Sequence, residues 1–264
     1  MKISLAQIPV AQSQFEANLG TAAHYIENAK KSGSDLVVFP EMFLSGFHYM
    51  MNYNAIKNEP KFFIEKVCAL AKANQIAICG TLPALDAGTQ VNRFYYISEE
   101  GEVLAHYDKI HLFKIFNENK FIRAGDSLAV LETKFGKIGF ATCYDLRFPE
   151  MFRKLALEGA EAFIVCAAWP HPRLLHWQTL LRARAIENQS FVIAVNQCCE
   201  ENFVKHIAKY FGGSTIIDPW GETIIEAKID SPDLVSAQID LHYAEKIRKE
   251  FPSFCDIFFD KINH

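Results

Sequence analysis

Three side chains stand where polar residues leave apolar, strand-like runs, and their types suit chemistry at an acyl carbon. KIGFAT ends on Cys143, followed at once by Tyr144, Asp145 and Arg147; DLVVF runs into Pro40 and Glu41; EVLAHY delivers Asp108, Lys109 and His111. A free thiol titrates near ~8.5, so a nucleophilic cysteine needs a base to take its proton or a cation to steady the thiolate. Glu41 suits the first task and Lys109 the second. If an acyl carbon is attacked, Lys109 and the backbone N–H of Tyr144 would hold the oxyanion, where one donor is worth roughly 3 to 4 kcal/mol. Each residue also has a plainer use. A cysteine at a strand end is commonly a small core residue, a glutamate after proline can cap the next segment, and a lysine in a polar turn is usually a solvated charge. Asp145 and Arg147 are expected to pair with each other or to cap a helix starting near Phe148, fixing the Cys143 turn. That helix would aim its positive end at the same rim.

The elements that must position these residues follow from periodicity. Apolar runs bounded by turn residues predict strands at about 2–8, 35–39, 76–82, 91–97, 102–107, 128–133, 137–142, 162–167, 191–196, 213–217, 222–227 and 234–239. Helical spacing predicts helices over about 15–30, 60–73, 148–158, 174–188 and 242–250. Runs such as LVVF, IAIC and FIVC are apolar throughout, as strands covered on both faces are. The fold class is therefore α/β: an α-β-β-α sandwich of two mixed sheets with helices on the outer faces. No repeat or linker divides the chain, so residues 1–264 are expected to form one domain. In such sheets ligands gather beyond the carboxyl ends of strands, where Glu41, Cys143, Trp169 and Asn196 are expected.

With 264 residues, 50% hydrophobic and 22% charged, the composition is that of an ordinary globular protein. A formal charge of -4 and a pI near 6.1 leave no basic surplus for phosphates, so neither nucleic acid nor an anionic membrane is expected as partner. No apolar run reaches the ~20 residues of a spanning helix, and the start lacks a cleavable leader, which points to the cytoplasm. Seven scattered cysteines, an odd number, are expected to be reduced. Adjacent Cys198 and Cys199 are expected to end a strand without further role.

Three segments now become recognisable in order. FPEMF (39–43), YDKIHLF (107–113) and CYDLRFPE (143–150) resemble the signature segments of the carbon–nitrogen hydrolase, or nitrilase, superfamily; RARAIENQ (182–189) and GGSTIIDPWGE (212–222) resemble its later motifs. The resemblance implies a Glu-Lys-Cys triad at Glu41, Lys109 and Cys143, an α-β-β-α fold and a homodimer, with no metal and no organic cofactor. It also implies a second glutamate after the lysine segment, matched by Glu118 in FKIFNENKFIRAGD. CYDLRFPE is similar to amidases of small carboxamides; true nitrilases commonly carry tryptophan after the cysteine. PEMFLSGF and WPHPRLLHWQ resemble the bacterial ω-amidase-like branch, which acts on 2-oxo acid ω-amides such as 2-oxoglutaramate or 2-oxosuccinamate. The eukaryotic ω-amidases continue their lysine segment differently. An N-carbamoyl amine amidohydrolase or a nitrilase of the same fold is the alternative.

A 2-oxo acid amide carries a carboxylate at its far end, so its pocket should hold a cation. Arg173 is the leading candidate, with His176 and Trp177 nearby; Phe43, Phe47 and Trp169 would supply apolar walls and Tyr144 a substrate contact. Other classes compete. A Cys-His enzyme has nine histidines to draw on, none in a context like that of Glu41 and Lys109. A metal site would need clustered ligands, whereas His171 and His176 are five apart and so do not share a helical face. A catalytically silent binding protein of this fold would be at odds with an intact set of reactive residues.

Overall fold

The computed structural model describes residues 1–202 and 207–256. The first sheet is built from β1 (Lys2–Gln7), β2 (Leu36–Val38), β3 (Ala77–Asp86), β4 (Thr89–Ile97) and β5 (Val103–Asp108), with β14 (Asp233–Gln238) added beside β1, in the order β14-β1-β2-β3-β4-β5. The second contains β6 (Val130–Thr133), β7 (Gly136–Thr142), β8 (Ala162–Ala167), β9 (Phe191–Asn196), β12 (Thr215–Ile217) and β13 (Thr223–Glu226), in the order β13-β12-β9-β8-β7-β6. Both are mixed. β1-β2-β3 and β7-β8-β9 run parallel, and hairpins close the edges.

Alternation in the first sheet explains the layering. Ile3, Leu5, Leu36, Val38 and Phe94 face inward onto the second sheet, where Phe94 stacks on Phe140 at 4.5 Å between ring centres. Val37, Ile78 and Tyr95 face outward. They are covered by α1 (Phe15–Lys31), whose buried stripe Asn18, Ala22, Ile26 and Ala29 has helical spacing, and by α3 (Phe62–Asn74) with Phe63, Val67 and Ala71. α4 (Pro149–Leu157) and α5 (Leu174–Asn188) cover the second sheet through Phe152, Leu155, Trp177 and Leu181. Pro149 opens α4, at the first helical position where a missing N–H costs nothing. α6 (Tyr243–Glu250) follows β14. The expected α-β-β-α sandwich is the observed fold.

Two elements exceed the expectation. A helix, α2 (Tyr49–Asn58), follows Glu41, and a two-stranded ribbon, β10 (Cys198–Asn202) with β11 (Ile207–Phe211), follows β9. Cys198 and Cys199 therefore open a strand instead of ending one.

Candidate active site

The parallel strands deliver their carboxyl ends to one rim. Glu41 follows β2, Lys109 follows β5, Cys143 follows β7 and Ala168 follows β8. Lys109 Nζ lies 2.9 Å from Glu41 Oε1 and 2.9–3.0 Å from both oxygens of Glu118. All three side chains are buried. Glu41 is held from two more sides: Asn92 Nδ2 donates to Oε1 at 2.8 Å, and the Ala168 N–H donates to Oε2 at 3.1 Å. Glu118 sits in a 3-10 turn, Glu118–Lys120, and accepts the Phe113 N–H at 2.6 Å. The Cys143 thiol hydrogen-bonds the Glu41 carboxylate, with the Ala168 N–H also reaching the sulfur.

Electrostatics fixes the resting protonation. Burial, helped by the Glu118 charge, holds Glu41 above its ordinary 4.5 despite the adjacent ammonium. Burial would lower Lys109, but the carboxylates of Glu118 and Glu41 outweigh it and keep the ammonium well above 10.5. Burial, then the Glu41 charge, push the Cys143 thiol well above its ordinary 9.0, with Lys109 opposing. At neutral pH the sulfur therefore keeps its proton, and Glu41 is the carboxylate placed to accept it. Moving that proton leaves the net charge of the buried group unchanged, because one anion replaces another beside the same lysine.

The turn at Cys143 is held by Asp145. Cys143 has φ +47, a left-handed conformation that costs a non-glycine residue roughly 1 to 2 kcal/mol. It opens a 3-10 turn, Cys143–Arg147, whose first N–H groups, that of Tyr144 among them, have no acceptor within the turn. The fully buried Asp145 carboxylate accepts from Thr142 N at 2.9 Å, Tyr107 Oη at 2.7 Å, His111 N at 2.9 Å and the His111 ring at 2.8 Å. It thus joins the cysteine turn to the segment carrying Lys109. Of the two expected roles, the pair with Arg147 is corrected, since Arg147 lies over the Trp169 ring at 4.7 Å, while Asp145 caps the Cys143 turn itself through the Thr142 N–H.

Glu41, Lys109, Glu118 and Cys143 open onto a cavity of about 480 Å³. Tyr144, Trp169 and Arg173 line it, as does Phe47. Two residues expected at the substrate, Phe43 as a wall and His176 beside Arg173, do not. Phe43 is buried against Phe39, with ring centres 4.6 Å apart, in the layer under α1 and α3. His176 lies on α5 outside the cavity lining, 3.4 Å from Arg147. The sequence reading missed Arg147, Tyr49, Phe113, Phe121 and Tyr210 as lining residues, and Asn92 as a partner of Glu41. Among the described residues no group of three His, Cys, Asp or Glu could hold a metal ion, and no helix is long and apolar enough to cross a membrane. His171 pairs with Asp230 at 2.8 Å.

Comparison with known proteins bears on the family and the fold. The carbon-nitrogen hydrolase family model matches residues 2–249. The 2-oxoglutaramate amidase of Bacillus subtilis is 34% identical over 97% of this chain and 96% of that protein. The ω-amidase YafV of Escherichia coli is 33% identical over the same shares. A crystal structure of XC1258 from Xanthomonas campestris, a CN-hydrolase superfamily protein with an arsenic adduct in its active site, superposes with a TM-score of 0.89 at 30% identity, covering 100% of this chain and 99% of that one. With the family pattern running through nearly all of its length and the fold shared from end to end, this chain belongs to the carbon–nitrogen hydrolase family.

Proposed function

We propose that the protein is a cysteine-dependent amidase that hydrolyses a 2-oxo acid ω-amide, of the 2-oxoglutaramate or 2-oxosuccinamate type, to the acid and ammonia. The observation that carries the reading is the buried Lys109 ammonium clamped between Glu41 and Glu118, with the Cys143 thiol on Glu41 and all four facing one cavity. Glu41 takes the thiol proton as sulfur attacks the amide carbon. Lys109 and the Tyr144 N–H stabilise the oxyanion. Glu41 returns the proton to departing ammonia, leaving a thioester on Cys143. Water, deprotonated by the same carboxylate, then attacks the thioester and releases the acid. Glu118 keeps Lys109 charged and in place throughout.

The substrate class is supported by positive charge in the cavity lining. Arg147 and Arg173 both contribute to it, Arg147 braced on Trp169, whose Nε1 donates to the Arg173 carbonyl at 3.2 Å. Two guanidinium groups suit a carboxylate held away from the reacting amide. The names of the relatives from Bacillus subtilis and Escherichia coli point to the same class. The reading includes a homodimer working in the cytoplasm, where the free cysteines stay reduced. Ammonia release from 2-oxoglutaramate, 2-oxosuccinamate, a carbamoylated amine and a simple nitrile tests it. Turnover is expected for the ω-amides, with loss of preference for the anionic ones in Arg147→Ala or Arg173→Ala; turnover of the nitrile alone would refute it.

A further inference from the structure

Glu201, on β10, is a further buried carboxylate near the cavity, besides Glu41, Glu118 and Asp145, and the mechanism above does not use it. Its side chain accepts the Phe47 N–H at 3.1 Å and the Gln197 amide at 3.4 Å, and hydrogen-bonds the Tyr210 hydroxyl. These partners matter because Phe47 and Tyr210 both line the cavity and pack together with Ala168, the residue whose N–H steadies Glu41. A second feature is built around the same carboxylate. Gly46 has φ +63, and a Cβ there would lie 2.4 Å from Glu201 Oε1. The bare glycine lets the acid come against the backbone of the loop leading from Glu41 to α2. That loop is otherwise fastened by Asn52, which donates to the Gly46 carbonyl at 2.9 Å.

We propose that Glu201 is a positioning residue that fastens the Phe47 and Tyr210 wall of the cavity and so sets the fit of the substrate's acyl chain, leaving the chemistry at Cys143 to the other residues. The proposal deepens the amidase reading and rests on it for the identity of the substrate. Burial raises the acid to about 7 even against the donors gathered on it, so it is only part ionised at neutral pH while its oxygens still accept. Removing the acid frees a buried N–H and a tyrosine hydroxyl, and the wall loses its fixed place.

The test compares Glu201→Ala, Glu201→Gln and wild type with 2-oxoglutaramate, alongside alkylation of Cys143 by iodoacetamide and by the bulkier N-phenylmaleimide. Glu201→Ala is expected to raise KM tenfold or more with kcat within threefold. Glu201→Gln should recover most of the loss, because its oxygen still accepts the Phe47 N–H. The ratio of N-phenylmaleimide to iodoacetamide rates should rise at least fivefold in the alanine variant. Unchanged KM and an unchanged alkylation ratio would overturn the proposal, as would a fall in kcat at constant KM. If wild type turns over no amide the functional reading fails, and the alkylation ratio still decides this one. Should Glu201→Ala not fold, Gly46→Ala displaces the same carboxylate and must give the same split.

Discussion

Replacing Asp145 by asparagine removes one acceptor from a fully buried site that serves four donors, and the cost can be worked from their geometry. Oδ1 faces the His111 N–H and the His111 ring, while Oδ2 faces the Thr142 N–H and the Tyr107 hydroxyl. Whichever oxygen becomes NH2, the ring nitrogen or the hydroxyl can turn acceptor, but one backbone N–H is left facing a donor. An unsatisfied buried group costs about 1 to 3 kcal/mol, and exchanging a charged acceptor for a neutral one weakens the surviving bonds. Urea denaturation should therefore show a loss of at least about 1 to 3 kcal/mol. The larger effect should be on chemistry. The same bonds hold the positive-φ turn at Cys143, and a misplacement of about 1 Å of a reacting group costs on the order of 10²-fold. Thioester formation, followed in a single turnover by ammonia release, should fall about 100-fold while KM changes little. An Asp145→Asn enzyme acylating within threefold of wild type would refute the claim that Asp145 holds the sulfur in position.

Three further outcomes follow from the same structure. Glu41 acts as base only when ionised and its pKa is raised, so the acidic limb of kcat/KM should lie above the ordinary carboxylate value of 4.5; a limb at or below 4.5 would contradict the assignment. Glu201 binds its proton more tightly in the folded chain, about 7 against an ordinary 4.5, so its stabilising contribution is full below 4.5 and is lost as pH rises through 7. Glu201→Gln should then gain on wild type by about 3 kcal/mol between pH 4.5 and pH 8 in urea denaturation, and a parallel pH dependence would refute this. At Gly125 a Cβ would meet the Asp108 carbonyl at 2.1 Å, and the Gly125 N–H donates to the Lys109 carbonyl at 2.9 Å, so Gly125→Ala should displace Lys109 and lower both melting temperature and kcat; an alanine variant matching wild type in both would show that the contact is not needed.

Glu41 and Cys143 were legible because each follows a strand with a nearly unbroken apolar run; Lys109 follows the mixed, largely exposed run VLAHYD and was legible from the polar residues that end it. Glu118 was legible only through the motif, since nothing in NENK distinguishes a buried carboxylate from a surface loop. Phe43 was misread because Met42 takes φ +51, which turns the chain back so that the next ring packs on Phe39 under the helices. Arg147 was misread through its closeness to Asp145. Residues two apart on a helical turn point in different directions, and here the acid turns inward to four donors while the guanidinium crosses Trp169. Asn92 reaches Glu41 from β4 and Tyr210 bridges from β11 to Pro170, contacts between segments distant in sequence that periodicity within one strand does not reveal. The β10–β11 ribbon escaped because CCEEN lacks the alternation of a half-buried strand.

The central claim is that the sulfur of Cys143 carries the acyl group. Rapid acid quenching of the enzyme during turnover of 2-oxoglutaramate, followed by peptide mass spectrometry, tests it most directly. An acyl adduct confined to the peptide containing Cys143, absent from Cys143→Ala and accumulating in a variant slow to hydrolyse the thioester, is the expected result; an adduct on another cysteine, or ammonia release by Cys143→Ala at the wild-type rate, would contradict it.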